Sequence, residues 1–270
     1  MRPGLGKYQG MKFIESRDNA FFREMARLAG SARQRGKQKR TLLDGTHLLA
    51  AYLNSGSRPL HILVNSAALG DAEVEALLER AAGLPVTQLD DRLFAALSEL
   101  KTPTGILALI DLPQPAAAVS DSRFALLLED IQDPGNLGSM LRSAAAAGCD
   151  AVFLSGGCAD AWSPKVLRAA MGGHFVLNIH ERQNLPGVVK AFPGMLLAAT
   201  LQATHNLYDC DLRGNVAFLI GNEGAGLSAD LLNLATQEMA IPMPGKVESL
   251  NAAAATAICL FEAVRQRQAS

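Results

Sequence analysis

The chain has 270 residues, 49% hydrophobic, 19% charged and 5% aromatic, a length that suits one large or two small domains and a composition that excludes disordered and collagen-like chains. Its formal net charge of −1 argues against a polyanion partner until the chain is divided: residues 1–50 carry eleven basic and four acidic side chains, net +7, and residues 51–270 fourteen and twenty-two, net −8. That asymmetry points to a polyanion-binding segment at the head of the chain.

Residues 1–10 contain no apolar core of signal-peptide length, and no uncharged apolar stretch approaches the roughly 20 residues that span a bilayer. Residues 14–28 place Phe21, Phe22, Met25 and Leu28 at helical spacing. Residues 31–40, SARQRGKQKR, follow with Arg33, Arg35, Lys37, Lys39 and Arg40 and no acid; these five cations are either a solvated, poorly ordered tail or, as expected here, the contacts to a phosphate backbone. The latter part of 41–54 reads as a helix, 60–64 as a strand, 71–82 as a helix with acids in its first turn, and 105–110 as a strand. Residues 111–120, DLPQPAAAVS, hold two prolines and no hydrophobic period, which marks a linker. The expected organisation is a basic segment over 1–40, a small domain over 41–112, a linker over 113–120 and a larger domain over 121–270.

Beyond the linker the texture is α/β. Strands are expected at 124–128, 151–154, 195–199 and 216–220, with a helix at 137–147 and a closing Ala-rich helix over 250–267. Short apolar strands alternating with helices predict a parallel sheet covered on both faces. Ligands in such sheets bind beyond the carboxyl ends of strands. Cys149, Cys158, Cys210 and Cys259 are scattered with no C-x-x-C pair, so free buried thiols in a reducing cytoplasm are expected and a structural zinc is not.

Three polar segments stand where a ligand belongs. The first, EDIQDPGNLGSMLRSAAAAG over 129–148, runs from a strand into a helix. Asn136 fits the helix N-cap, and capping alone accounts for it. Arg142 is a lone cation in a helix of Leu, Met, Ala and Ser; a helix that apolar is expected to be buried on most sides, so this Arg calls for an anionic partner, either a structural carboxylate or a ligand phosphate. The second, FLIGNEGAGLS over 218–228, has Gly221, Gly224 and Gly226 in G-x-x-G-x-G spacing, which is not the G-x-G-x-x-G of a dinucleotide loop. Glu223 in that turn either orients a hydroxyl or amine or stabilises the turn itself. The third, AIPMPGKVESLN over 240–251, contains Gly245-Lys246 without a Walker pattern. Ser249 is the expected cap of the last helix, and Asn251 places an amide at its first turn, where anions gather.

Together these segments resemble the three motifs of the SpoU/TrmH family of SPOUT RNA ribose methyltransferases. The likeness is carried by Asp133, Pro134, Asn136, Gly138, Arg142 and Ala144 in the first, by IGNEGAGLS in the second and by IPMPGKVESLN in the third, in order and at family-like spacing. Ser163-Pro164-Lys165-Val166 and Arg168-Ala169-Ala170-Met171-Gly172 resemble a further family stretch, and LLDGTHLL (42–49) and KTPTGILAL (101–109) look like the small substrate-binding domain that precedes the catalytic one in many members. The resemblance implies S-adenosylmethionine as methyl donor, a ribose 2′-hydroxyl of structured RNA as acceptor, a C-terminal trefoil knot that general topology rules would not suggest, and a cytoplasmic homodimer with no membrane partner. It assigns Thr200, Gly221, Asn222, Ile241, Met243, Leu250 and Asn251 to the donor, and a catalytic role to Arg142 with Asn136, Glu223, Ser249 and Asn251 around it. Methyl transfer from a sulfonium is an in-line displacement that needs no metal. Deprotonating a guanidinium is very costly, so Arg142 is expected to bind the neighbouring RNA phosphate and stabilise the developing alkoxide rather than act as base. Ribosomal RNA is favoured over transfer RNA because of the leading domain. The alternatives are a transfer-RNA methyltransferase, an RNA-binding paralogue without catalysis, and a dinucleotide-dependent oxidoreductase, the last disfavoured by the glycine spacing. The five histidines, His174 among them, are expected to make local hydrogen bonds, and sparse aromatics around the single Trp162 offer no base-stacking platform.

Overall fold

A computed structural model describes residues 11–100, 102–116 and 118–269; residues 1–10 of the expected basic segment, Lys101 and the expected linker's Ala117 lie outside the described residues. The first half of the chain forms β1 (Lys12–Ile14), α1 (Ala20–Gly30), α2 (Ala32–Gln38), β2 (Arg40–Asp44), α3 (Thr46–Asn54), β3 (His61–Val64), α4 (Ala72–Arg80), β4 (Val86–Leu89), α5 (Asp91–Leu97) and β5 (Ile106–Asp111). The second half forms β6 (Phe124–Leu128), α6 (Pro134–Ala147), β7 (Ala151–Leu154), α7 (Pro164–Ala170), β8 (Asn178–His180), α8 (Leu185–Ala191), β9 (Met195–Ala199), β10 (Val216–Ile220), α9 (Ala229–Leu234), β11 (Gln237–Met239) and α10 (Ala252–Gln268). Two compact units result, one running up to Pro113 and including Trp162–Phe175, the other made of Gln114–Ala161 and the chain from Val176 onward.

The first unit is a five-stranded mixed sheet in the order β1-β4-β3-β5-β2, with β5 antiparallel to both its neighbours. Asn19 caps α1 by accepting from the Phe21 and Phe22 amides, and Phe22, Met25 and Leu28 then lie on one buried stripe. They share a core with Ile14, Leu63 and Phe94. Residues 11–40 are therefore built into this unit and do not form the separate segment expected. Arg35 is the corresponding correction among the expected RNA contacts. It is only 5% exposed, and its guanidinium donates to the carbonyls of Leu28 (2.5 Å) and Ala29 (2.9 Å). Those carbonyls lie in the last turn of α1, where intrahelical donors run out, so Arg35 closes that helix end.

The Trp162–Phe175 stretch belongs to the first unit although it follows the expected linker. The reason is local. The Trp162 carbonyl accepts the Thr41 hydroxyl at 2.9 Å in a buried position, Val166, Leu167 and Ala170 are buried, and a Cβ on Gly172 would crowd that of Ala51. His174 is buried with its ring 4.9 Å from that of Trp162.

The second unit is a six-stranded, wholly parallel sheet in the order β11-β9-β10-β6-β7-β8. β6 (FALLL), β7 (AVFL) and β10 (VAFLI) are buried at every position, as strands covered on both faces must be. The expected strands at 124–128, 151–154, 195–199 and 216–220 coincide with β6, β7, β9 and β10; β1, β2, β4, β8 and β11 are additions. Pro134 occupies the first turn of α6, and Asp133, not Asn136, is its N-cap, with Oδ1 accepting the Asn136 amide at 2.7 Å. α6 buries Leu137, Met140, Leu141 and Ala144 and ends on the left-handed Gly148. Arg142 lies on the opposite, exposed face. Burial pushes the Cys259 thiol up to about 12 and raises those of Cys149, Cys158 and Cys210, and all four cysteines are free. Among the described residues no helix is long and apolar enough to cross a membrane.

If Arg35 closes α1, its removal leaves two helix-end carbonyls without their charged donor. Arg35→Ala is expected to lower the unfolding free energy by about 2 kcal/mol in denaturant titrations, whereas Arg33→Ala, at an exposed position of α2, the helix that carries Arg35, changes it by less than about 0.5 kcal/mol.

Candidate active site

β9, β10 and β11 end beside one another, and the segments that leave them line a cavity of about 700 Å³. Its walls come from the turn after β9, the glycine loop after β10, the segment 239–251 after β11, the first residues of α10 and Asn136 at the start of α6.

The glycine loop is a closed turn. Asn222 and Gly226 exchange backbone hydrogen bonds of 3.0 and 2.9 Å, and Asn222 Oδ1 accepts the amides of Gly224 and Ala225 at 2.9 and 3.0 Å. Gly226 sits at φ +71°, the left-handed region glycine favours. Gly221 lies flat against the far side of this turn; a Cβ there would overlap the Gly226 carbonyl, so no other residue fits without moving backbone. The result is a wall of bare peptide facing the cavity, suited to close approach by a flat or extended ligand.

Side-chain amides form a polar rim that reaches this loop at Glu223. Asn251 Nδ2 donates to Asn136 Oδ1 at 2.9 Å, and Asn136 Nδ2 donates to Glu223 Oε1 at 2.9 Å. Asn251 also caps the seventeen-residue α10, its Oδ1 accepting from Ala253 and Ala254 at 2.9 and 3.3 Å. This role was expected of Ser249, which instead lines the cavity. Asn251 thus fixes the start of the last helix, and Asn136, bonded to both Asn251 and Glu223, joins all three motifs. Thr200 Oγ1 donates to Glu238 Oε2 at 3.1 Å across the β9–β11 edge.

All seven residues expected to contact the donor, Thr200, Gly221, Asn222, Ile241, Met243, Leu250 and Asn251, line this one cavity. Of the five expected catalytic residues, Asn136, Glu223, Ser249 and Asn251 line it too. Arg142 does not. The buried setting expected for it is corrected: it stands on the solvent face of α6 with Ser139 and Ala146, because the small Ala and Ser residues that made the helix look apolar are also tolerated on an exposed face. Arg33, Lys37 and Lys39 are exposed in the first unit, and Arg40 pairs with Asp111 at 3.0 Å across β2 and β5. The sequence reading missed Gln202, Leu232 and Met239 in the cavity wall; none carries a local signal, and only the meeting of strand ends brings them there. Among the described residues no group of three or more His, Cys, Asp and Glu side chains is placed to hold a metal ion.

Comparison with known proteins agrees with this geometry. The family model described as the SpoU rRNA Methylase family matches residues 123–261, and one described as the MRM3-like substrate binding domain matches residues 19–108. The 23S rRNA (guanosine(2553)-2′-O)-methyltransferase RlmP of Bacillus subtilis is 35% identical over 93% of this chain and 98% of its own. Mitochondrial rRNA methyltransferase 3A of Danio rerio is 30% identical over 96% of this chain and 72% of its own. The crystal structure of the SpoU methyltransferase AviRb from Streptomyces viridochromogenes in complex with the cofactor AdoMet superposes with a TM-score of 0.82 at 27% identity, covering 93% of this chain and all of that one.

The double duty of Asn251 is separable. Asn251→Ala is expected to cost about 1 kcal/mol of stability through the lost cap, read by chemical denaturation. Asn251→Asp keeps a capping oxygen and recovers that stability while losing the donor to Asn136.

Proposed function

The chain belongs to the SpoU rRNA methylase family, and from that premise we infer that it transfers a methyl group from S-adenosylmethionine to a ribose 2′-hydroxyl of ribosomal RNA. The observation that carries this reading is the single cavity that gathers every residue expected to hold the donor together with four of the five expected catalytic residues. The cavity fits the donor by its construction. The peptide wall at Gly221–Gly226 admits close contact, while Ile241, Met243 and Leu250 supply apolar surface beside it. When bound, S-adenosylmethionine supplies a methyl group on a sulfonium whose departure leaves a neutral thioether.

The chain's own groups handle the hydroxyl. The Glu223 carboxylate is exposed and uses Oε1 to accept from Asn136, leaving Oε2 to accept from an incoming hydroxyl, orient its lone pair and take up its proton as the methyl group transfers. Asn136 is fixed from its other side by Asn251, so the carboxylate is held by a chain of amides. Arg142, permanently charged and exposed on α6, acts on the RNA: it pairs with a phosphate next to the target ribose and stabilises the negative charge that develops on the 2′-oxygen.

RNA affinity comes from the first unit, which carries a net charge of +5 against −6 for the second. Arg33, Lys37 and Lys39 are the phosphate contacts of this reading, and Arg40 joins them at the cost of its pairing with Asp111. Ribosomal RNA is favoured because the relatives that match both units are named for it. The same reading includes a trefoil knot, supported by the way the segment 240–251 is bridged to the loop after β9 at Asn206–Ala240 before α10 returns against α6. It also includes a cytoplasmic homodimer: the thiols are free, and Leu201, Val247, Leu250 and Phe261 are exposed around the cavity mouth and along α10, apolar surface of the kind a second subunit covers.

Three measurements test this. Ribose-methylation mapping of total RNA from cells with and without the gene is expected to show one lost site in ribosomal RNA; loss of none, or of a transfer-RNA site, contradicts the assignment. Arg142→Ala is expected to lower turnover about a hundredfold or more with donor affinity within twofold, since Arg142 stands outside the donor cavity; full activity removes Arg142 from the mechanism. Replacing Arg33, Lys37 and Lys39 by Ala together is expected to weaken binding to ribosomal RNA and to flatten the slope of log K against log salt by roughly two to three, leaving calorimetric binding of S-adenosylmethionine unchanged.

A further inference from the structure

The glycine loop that walls the donor cavity is poorly supported by packing, since residues 223–226 are all exposed. Besides the Asn136–Glu223 bond in its middle, hydrogen bonds hold it at its two ends, and both of these lead to the two residues that follow β6. At the entry, Asn222 Nδ2 donates to the backbone carbonyl of Asp130 at 2.8 Å. At the exit, the Ser228 amide donates to Glu129 Oε2 at 2.7 Å. Glu129 is itself set at the level of the strand end by its amide, which donates to the Ile220 carbonyl at 2.9 Å.

Asp130 is built to aim that carbonyl. It is a non-glycine residue at φ +52°, in the left-handed region. Ser155, at the end of β7, secures it there by donating to Asp130 Oδ1 at 2.5 Å and accepting the Asp130 amide at 2.9 Å. Gly157 leaves room for the carboxylate, which any Cβ at that position would displace.

We propose that Glu129 and Asp130 are positioning residues for donor binding, the Glu129 carboxylate pinning the exit and the Asp130 carbonyl the entry of the glycine loop so that its peptide wall keeps its shape in the absence of ligand. Neither lines the cavity; both act through Asn222 and Ser228. A loop held in its binding shape beforehand loses less entropy when the donor arrives, so loosening either tether lowers donor affinity. The proposal rests on the reading of the cavity as the S-adenosylmethionine site.

Isothermal titration of S-adenosylmethionine into the full chain tests it. Glu129→Ala is expected to raise the Kd about tenfold, and Glu129→Gln, which keeps an acceptor oxygen for the Ser228 amide, to stay within about threefold of the unaltered chain. Ser155→Ala, which frees Asp130 without touching the loop, is expected to raise the Kd in the same direction by about threefold or more. A Glu129→Ala Kd within twofold of the unaltered chain overturns the proposal, as does equal weakening by Ala and Gln. If the unaltered chain does not bind S-adenosylmethionine at all, the reading of the cavity fails and this proposal with it, an outcome distinct from normal binding that is insensitive to Glu129.

Discussion

The register of three adjacent parallel strands decides where everything else can be. β10 lies between β6 and β9 and pairs with both, Ile220 opposite Leu128 and Leu219 opposite Ala198. The three chains therefore reach the carboxyl edge of the sheet at nearly one level, and the segments that leave them start side by side. Glu129, Thr200 and Gly221 each follow their strand by one residue. Residues separated by about ninety positions in the sequence become hydrogen-bond partners for this reason alone, as Asn136 and Glu223 do. A one-residue slip of β10 would turn its alternate side chains to the other face and shift the glycine loop away from both tethers.

Given that register, the site is assembled mostly from amides, both of the backbone and of asparagine. An asparagine side chain can donate and accept at once, and each of the three here does so. Asn222 accepts within its own loop and donates to the loop after β6, Asn136 accepts from Asn251 and donates to Glu223, and Asn251 accepts from its own helix and donates to Asn136. Asn222 and Asn251 each join a local turn to a remote one, and Asn136 joins two remote segments. That is why the site can be exposed and still have a definite shape, with little hydrophobic packing behind it.

The sequence made some of this readable and concealed the rest for identifiable reasons. Continuous apolar runs gave β6, β7, β9 and β10 their true limits, because a central parallel strand is buried on both faces and has no polar position to confuse its ends. β4 (VTQL), β8 (NIH) and β11 (QEM) carry polar side chains at partly exposed positions, and two of them lie at the edges of the second sheet, where the apolar signal is weakest. The caps were misplaced by short distances. Asp133 and Asn136 are both capping types, and Pro134 decides between them, since proline prefers the first helical position and so makes its predecessor the cap. The residues proposed to hold the donor were legible only through family resemblance. No periodicity distinguishes Ile241 or Met243 from core, and Gln202 and Met239 had no marker of any kind. Arg142 was read as buried because Ala and Ser count as small and apolar in a window, though neither demands burial.

The charge division has also moved. Split at residue 50 it set a basic head against an acidic body, and every cation in 33–40 looked equivalent. Split along the compact units it is +5 against −6, and the cations have separate employments: Arg35 serves a helix end, Arg40 an ion pair, and Arg33, Lys37 and Lys39 face solvent. Lys165 and Arg168, from the stretch that folds with the first unit, add two charges to it without an acid. An acidic unit by itself repels a polyanion, so the unit that holds the donor cavity is poorly suited to attract RNA by its overall field. Under the proposed function the attraction comes from the other unit and the final approach from a local cation on the acidic one. Arg142, exposed on α6 outside the donor cavity, is placed to be that cation. On this reading a net charge of −1 is the residue of two opposed fields, one recruiting the nucleic acid and the other leaving it to a single arginine to hold the phosphate beside the reacting ribose.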